Sequence, residues 1–360
     1  MFRSVAVLFL LLETFGFKIK YVVIIFFRWL VAVLIKLTLA LDFLFYPSKR
    51  KKKIISPVFL IGHPRSGTTF THRFIMKNCP QFNSLCLFDF LFPALTAKRM
   101  MRSFKPKMEK TKLDKLYDPK IHKTGFFMPE TEDVALFLRY FDGLLSWMYF
   151  YTWKVFKTQD EFEIALNKRL GQKKFISYLK RAHHRSIYLS NKTMFSKSFA
   201  LIFNYQHIVK EFPDAKILLV IRDPLFAIPS FMSLVSGVQR KLNNLDILSD
   251  ELKKRFYNNF YKTSLYYYQK LHQIVSEKKE NKNLLVITHK EISSDFQNTF
   301  NKVIDFYNID RTPELEEAIA LQVEKQASFK TEHEYSLEKF WLTETAIKQD
   351  FDFIYKHYNV

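Results

Sequence analysis

Residues 57–71, PVFLIGHPRSGTTFT, constrain the fold more than any other stretch of this chain. Four apolar residues, Val58-Phe59-Leu60-Ile61, stand between Pro57 and Gly62. A short apolar run bounded by chain-turning residues reads as a strand buried on both faces of a parallel sheet. A tight polar loop follows, from Gly62 to Thr69. Residues 70–76 then place Phe70 and Phe74 at the i, i+4 spacing of a helix face. Strand, loop and helix start together form an anion cradle. The first N–H groups of a helix have no carbonyl partner, and its dipole is positive there. Gly67 allows close approach of the backbone, and Thr68 and Thr69 add hydroxyl donors.

Gly62 and Gly67 have the spacing of a nucleoside-triphosphate loop, but Thr68 stands where that loop carries lysine. The cation, Arg65, lies inside the loop instead, which disfavours ordinary ATP chemistry. The bland alternative is a glycine-rich turn with no ligand. Residues 212–234, FPDAKILLVIRDPLFAIPSFMSL, weigh against it. Residues 216–221 read as a second buried strand, Arg222-Asp223-Pro224 ends it, and the next helix carries Ser230. In open parallel sheets ligands bind outside the carboxyl ends of the strands. Arg222 offers a fork of donors to a phosphate and Ser230 a hydroxyl. Asp223 reads as orienting Arg222 or capping the helix.

These residues carry a resemblance. Pro64-Arg65-Ser66-Gly67-Thr68-Thr69 resembles the 5′-phosphosulfate loop of the sulfotransferase superfamily, most closely its bacterial-type branch with arginine in the loop. The spacing from Arg222 to Ser230 is similar to that family's 3′-phosphate motif. Lys197-Ser198 before a helix, and the Phe-Pro-Asp-Ala at residues 212–215, are similar as well. The chain departs from the family where Thr331-Glu332 separate Lys330 from His333. The resemblance implies a three-layer α/β/α, P-loop-like fold around a central parallel sheet. It also implies sulfuryl transfer from 3′-phosphoadenosine 5′-phosphosulfate to a hydroxyl, with no metal. Arg65 and the loop 64–69 would hold the 5′-phosphate and sulfuryl oxygens. Lys197 would face the bridging oxygen, and Arg222 and Ser230 the 3′-phosphate. Glu130-Thr131-Glu132-Asp133 reads either as the acidic start of a helix or as the source of a general base. The family's acidic cluster points to Glu132.

A formal net charge of +21 calls for an anionic partner: nucleic acid, a membrane surface or an anionic substrate. No nucleic-acid module is visible, which leaves an anionic membrane and a nucleotide. The two cysteines, Cys79 and Cys86, have no metal spacing and imply no disulfide scaffold. Residues 1–46 read as a membrane-associated apolar segment. Within them residues 19–45 are long enough to span a bilayer but are interrupted by Arg28, Lys36 and Asp42. A spanning helix and a helix lying in the interface both stay open. Residues 47–55 form a basic linker containing Lys49-Arg50-Lys51-Lys52-Lys53. By the positive-inside rule this run keeps the domain at 56–360 cytoplasmic, and it attracts anionic lipid. No further domain boundary is evident.

Other expectations are local. They are a strand at 83–88, helices over 95–123 broken at Pro106, and one helix over 161–184 with His183-His184 on its surface. A polar mobile loop is expected at 237–250, then a helix at 251–279 with Tyr261, Leu265 and Tyr268 as core. The aromatic run 141–153 reads as core or as the wall of an acceptor pocket. Membrane association and this aromatic run favour a lipophilic alcohol or lipid as acceptor. Two rival readings are a membrane-bound P-loop kinase and a non-catalytic membrane adaptor on a nucleotide-binding fold.

Overall fold

A computed structural model describes residues 2–47, 53–110, 125–277, 282–327 and 336–360. Most of the basic run, the second part of the stretch 95–123, and Lys330 with His333 lie outside the described residues. Two compact units emerge. A helical unit comprises Met1–Ile54, Ser84–Asn191 and Leu234–Phe260; a sheet unit comprises Ile55–Asn83, Lys192–Ser233 and Tyr261–Val360.

Among the described residues every strand lies in the sheet unit. They are β1 (Val58–Gly62), β2 (Phe82–Asn83), β3 (Thr193–Lys197), β4 (Lys216–Ile221) and β5 (Leu284–Thr288). Their order is β2-β3-β1-β4-β5, and every pairing is parallel. This is the parallel α/β class expected. β1 is central and every residue in it is buried. Alternate side chains explain why its sequence is apolar throughout. Val58 and Leu60 join a core with Leu218, Val220, Phe195 and Ile287, onto which Phe296 and Phe300 pack. Phe59 points the other way and meets Phe212 at a ring separation of 5.7 Å. The helix after β1, α3 (Thr68–Asn78), adds Ile75 and Phe74 to the first core.

At Gly62 the sheet leaves no room for a side chain. A Cβ there would lie 2.6 Å from the Val220 carbonyl oxygen of β4 and 2.8 Å from Thr68 Cγ2. Glycine at this point lets β1 pair with β4 to its last residue and still turn into α3.

The helical unit begins with α1 (Phe2–Phe15) and α2 (Ile19–Phe45). The aromatic run is core: Trp147 and Trp153 are fully buried, and Trp153 stacks on Phe256 at 4.4 Å. Buried carboxylates tie the unit together. Asp42 accepts from the backbone N–H groups of Leu95 and Thr96, both at 2.9 Å, and pairs with Arg185 at 3.4 Å. Asp142 is bound by Arg3 and accepts from Gln172 at 2.9 Å.

Several local expectations are corrected. The strand expected at 83–88 is confined to Phe82–Asn83. Leu87–Leu91 is helical, because Asp89 reaches back to the Cys86 N–H at 2.9 Å and closes a capping box. The single helix expected at 161–184 is two, Gln159–Leu170 and Lys173–Leu189, separated at Gly171. Pro106 sits in the first turn of Lys105–Glu109, where its missing N–H costs nothing. Residues 237–243 are not a loop but the end of the helix Pro224–Asn243. Buried amides hold them there: Gln239 donates to the Tyr149 carbonyl at 2.9 Å, and Asn243 donates to Gln239 at 2.7 Å.

Replacing Gly62 with alanine is expected to cost about 1–3 kcal/mol of stability, because the clash is with backbone that cannot step aside. Urea unfolding checks this: the midpoint should fall while the slope stays unchanged.

Candidate active site

The carboxyl ends of β1, β3, β4 and β5 lie side by side in the sheet unit, and four loops leave from them. The central strand is where the strand order reverses direction, the place where an open parallel sheet forms a ligand crevice.

The loop after β1 is strained. Arg65 adopts φ 72°, a left-handed conformation that costs a side-chain-bearing residue roughly 1–2 kcal/mol. Gly67 follows at φ 85° as the residue that opens α3. The surroundings hold Arg65 in place from both ends. Its carbonyl oxygen accepts from Arg222 Nη1 at 2.6 Å, and its own Nε donates to Ser230 Oγ at 2.9 Å. The two arginines and the serine singled out in two distant segments therefore meet around one turn.

Lys197 arrives from the end of β3. It is almost wholly buried, donates to Thr69 Oγ1 at 2.8 Å, and has the Phe199 ring centroid 5.5 Å away. Lys197 and Thr69 thus meet at the start of α3, whose first N–H groups have no carbonyl partner within the helix. Asp223 caps the helix after β4 through the Leu225 N–H at 2.8 Å and accepts from Tyr355 at 2.7 Å. That is the capping role rather than a chemical one.

Glu132 belongs to the helical unit, at the N-terminus of Asp133–Tyr140. It is fully buried, and its carboxylate meets Nε2 of His183. The expectation that His183 lies on the surface is corrected, since it has no exposed area. Its register was visible in the sequence. Phe175, Leu179, His183 and Ile187 recur every four residues, so the histidine falls on the buried stripe of its helix.

Three further residues around this loop were not named as site residues from the sequence. Tyr268 was read only as core, yet its hydroxyl donates to the Arg222 carbonyl at 2.8 Å and fixes the end of β4. His289 leaves β5 beside Gly67. A Cβ on Gly67 would approach its Cδ2 to 3.0 Å, so glycine leaves a cradle that any other residue would fill. His63 lies behind the loop, its Nδ1 against the Pro64 carbonyl at 2.8 Å and its Nε2 against Ser264 Oγ at 3.1 Å. Rings of Phe231, Tyr267 and Tyr268 surround it.

Electrostatically the site is built for anions. Burial pushes His63 down to about 3, and burial with the neighbouring Arg222 charge pushes His289 down to about 4. Both rings stay neutral near neutrality, and the basic side chains gathered here are Arg65, Arg222 and Lys197, with the Asp223 carboxylate nearby. Ser198, next to Lys197, has a buried hydroxyl with no hydrogen-bond partner among the described residues. An orphaned hydroxyl, a glycine cradle and three cations fit a ligand carrying more than one anionic group.

Comparison with known proteins identifies the family and the fold. Residues 57–313 match a family model described as Sulfotransferase family. Among solved structures, sulfotransferase STF1 from Mycobacterium tuberculosis H37Rv is similar with a TM-score of 0.69 and 15% identity, over 97% of this chain and 91% of its own. Sulfotransferase STF9 from Mycobacterium avium gives 0.68 and 16%, over 88% of this chain and 80% of its own. At such identity the likeness is one of fold. No curated protein matches the sequence.

The two neutral histidines carry a pH prediction. Their folded pKa values lie below the ordinary value of about 6.5, so the unfolded chain takes up protons first as pH falls. Stability is therefore full above about pH 6.5. It drains towards pH 4 by up to about 1.4 kcal/mol per pH unit for each ring. In His63→Gln, denaturant unfolding at pH 7, 6, 5 and 4 should show a flatter acid limb. An unchanged limb would mean that the ring is not held neutral.

Proposed function

The chain belongs to the sulfotransferase family, and from that premise we propose that it moves a sulfuryl group from 3′-phosphoadenosine 5′-phosphosulfate to the hydroxyl of a lipophilic alcohol or lipid. One observation carries the reading. Arg65, Arg222 and Ser230 interlock at the strained turn after β1, and Lys197 from β3 meets Thr69 at the start of the helix that follows it. When bound, the donor supplies the sulfuryl group and a phosphate leaving group. The chain's work is then to position reactants and to stabilise charge.

Each residue has a role in this reading. The loop Pro64-Arg65-Ser66-Gly67-Thr68-Thr69 holds the 5′-phosphate and sulfuryl oxygens through backbone N–H groups, the guanidinium and two hydroxyls. Lys197 offers a fixed positive charge to the oxygen between phosphate and sulfuryl group. Arg222 and Ser230 bind the 3′-phosphate, which separates this donor from ATP. Arg222 can leave the Arg65 carbonyl for a phosphate oxygen at a gain, because a guanidinium–phosphate pair is stronger than a bond to a neutral oxygen. Glu132 takes the acceptor proton, with His183 against its carboxylate to steady it. Among the described residues no cluster calls for a metal.

The acceptor class is supported by location. α2 carries a long apolar sequence, and an anionic membrane surface suits a net charge of +21. In this reading the protein is membrane-associated and its sulfotransferase domain faces the cytoplasm.

Calorimetry with 3′-phosphoadenosine 5′-phosphate, ADP and ATP tests the donor. The 3′-phosphate compound should bind best. Arg222→Ala should weaken it by about 10- to 150-fold, the equivalent of about 1.5–3 kcal/mol for hydrogen bonds to a charged group. A preference for ATP with Mg²⁺ would replace this reading with a kinase. In turnover assays Lys197→Ala should lower kcat about 10²–10³-fold with little change in donor KM. Glu132→Gln should lower it by about 10²–10⁴-fold. Donor binding with no turnover in the unsubstituted chain would favour a non-catalytic adaptor.

A further inference from the structure

By length and composition α2 qualifies as a membrane-crossing helix, with a mean hydropathy of 2.4 over its most apolar window. Its two sides differ. Fourteen of its 27 residues are large apolar side chains left exposed, from Ile19 to Phe45, including Phe26, Phe27, Leu37 and Leu44. The opposite stripe is tied to the helical unit along nearly the whole helix. Near its start, Lys20 donates to the Leu242 carbonyl and Tyr21 donates to Asn243 at 2.7 Å. Further on, Arg28 bonds Ser4 and the Arg139 carbonyl. Near its end Asp42 is sealed among Leu95, Thr96 and Arg185.

A helix crossing a bilayer meets lipid on all sides, and these ties forbid that. To insert end-on, α2 would have to abandon Asp42 and Arg185 as unpaired buried charges, or drag their polar surroundings into hydrocarbon. Lys36 gives an independent indication. It is exposed near the middle of the helix, at the depth where a spanning segment tolerates charge least. In a helix lying flat, the same lysine reaches the headgroup layer.

Resting on the membrane association proposed above, we propose that α2 lies in the plane of one leaflet. Its outward apolar face is sunk among the acyl chains of an anionic membrane, and it does not cross the bilayer. Charge favours lipid over a second copy of the chain as the occupant of this face. Two copies would each bring a net charge of +21 and an exposed Lys36, whereas an anionic leaflet complements both.

The test uses the full chain with an N-terminal epitope tag and sealed vesicles of phosphatidylcholine with 30% phosphatidylglycerol. Environment-sensitive probes are attached at Phe27→Cys, Leu37→Cys and Leu44→Cys. Burial pushes the thiols of Cys79 and Cys86 up to about 12, so they react slowly. The expected result is flotation with the vesicles, similar shallow quenching by brominated lipid at all three positions, and a tag fully open to external protease. The variant Phe27→Ser/Leu37→Ser/Leu44→Ser should lose at least about tenfold in vesicle partition while its binding of 3′-phosphoadenosine 5′-phosphate stays unchanged. Deep quenching at mid-helix with a protected tag would establish a span, overturning the in-plane seating while sparing membrane association. Absence of flotation would overturn both. Sedimentation as a dimer that the triple variant disperses, again without flotation, would assign the face to a second copy. Loss of donor binding in the unsubstituted chain would instead strike the sulfotransferase reading and leave the vesicle result standing.

Discussion

The crowding between β1 and β4 at Gly62 governs the sheet unit. Because the Val220 carbonyl occupies the space of a side chain, only glycine fits at this position, and the chain turns directly after it. The turn forces Arg65 into a left-handed conformation that it would not choose. The local cost is offset by two hydrogen bonds that reach in from the segment after β4, from Arg222 to the Arg65 carbonyl and from Arg65 to Ser230. These two bonds hold Arg65, Arg222 and Ser230 together around the turn.

The supports behind these groups are mostly aromatic and neutral. Tyr268 anchors the Arg222 carbonyl, Tyr355 holds Asp223, and His63 packs among rings with both nitrogens engaged. The arginines and the lysine are the basic groups in this frame, and Asp223 is the carboxylate beside them. His289, pushed down to about 4, is likewise neutral on the β5 side.

In the helical unit the organising groups are buried carboxylates. Asp42, Glu132 and Asp142 have no exposed surface, and each has a cationic or histidine partner from a distant segment. Such pairs contribute little net stability, because their desolvation offsets their attraction. Breaking one is costly, so they fix which segments pack together. Through Asp42 and Asp142 the N-terminal helices are part of a folded unit and not a detached tether.

The parallel sheet, the anion loop and the segment with Arg222 and Ser230 were legible in the sequence because they rest on local rules. Both-face burial makes a strand continuously apolar, and a strand–turn–helix motif declares its glycine. The family could be recognised for the same reason. Local pattern failed where a distant group decided the outcome. Residues 237–243 look like a polar loop until Gln239 and Asn243 find buried partners, and His183 looks solvent-borne until its helix is docked. The hydropathy of α2 is set by its composition, which by itself permits a bilayer span. Which face is free, and whether its charges are already paired, is a property of the packed unit. Only the tertiary structure could assign Asp42 to Leu95, Thr96 and Arg185, because a buried charge takes its partner from wherever the fold brings one.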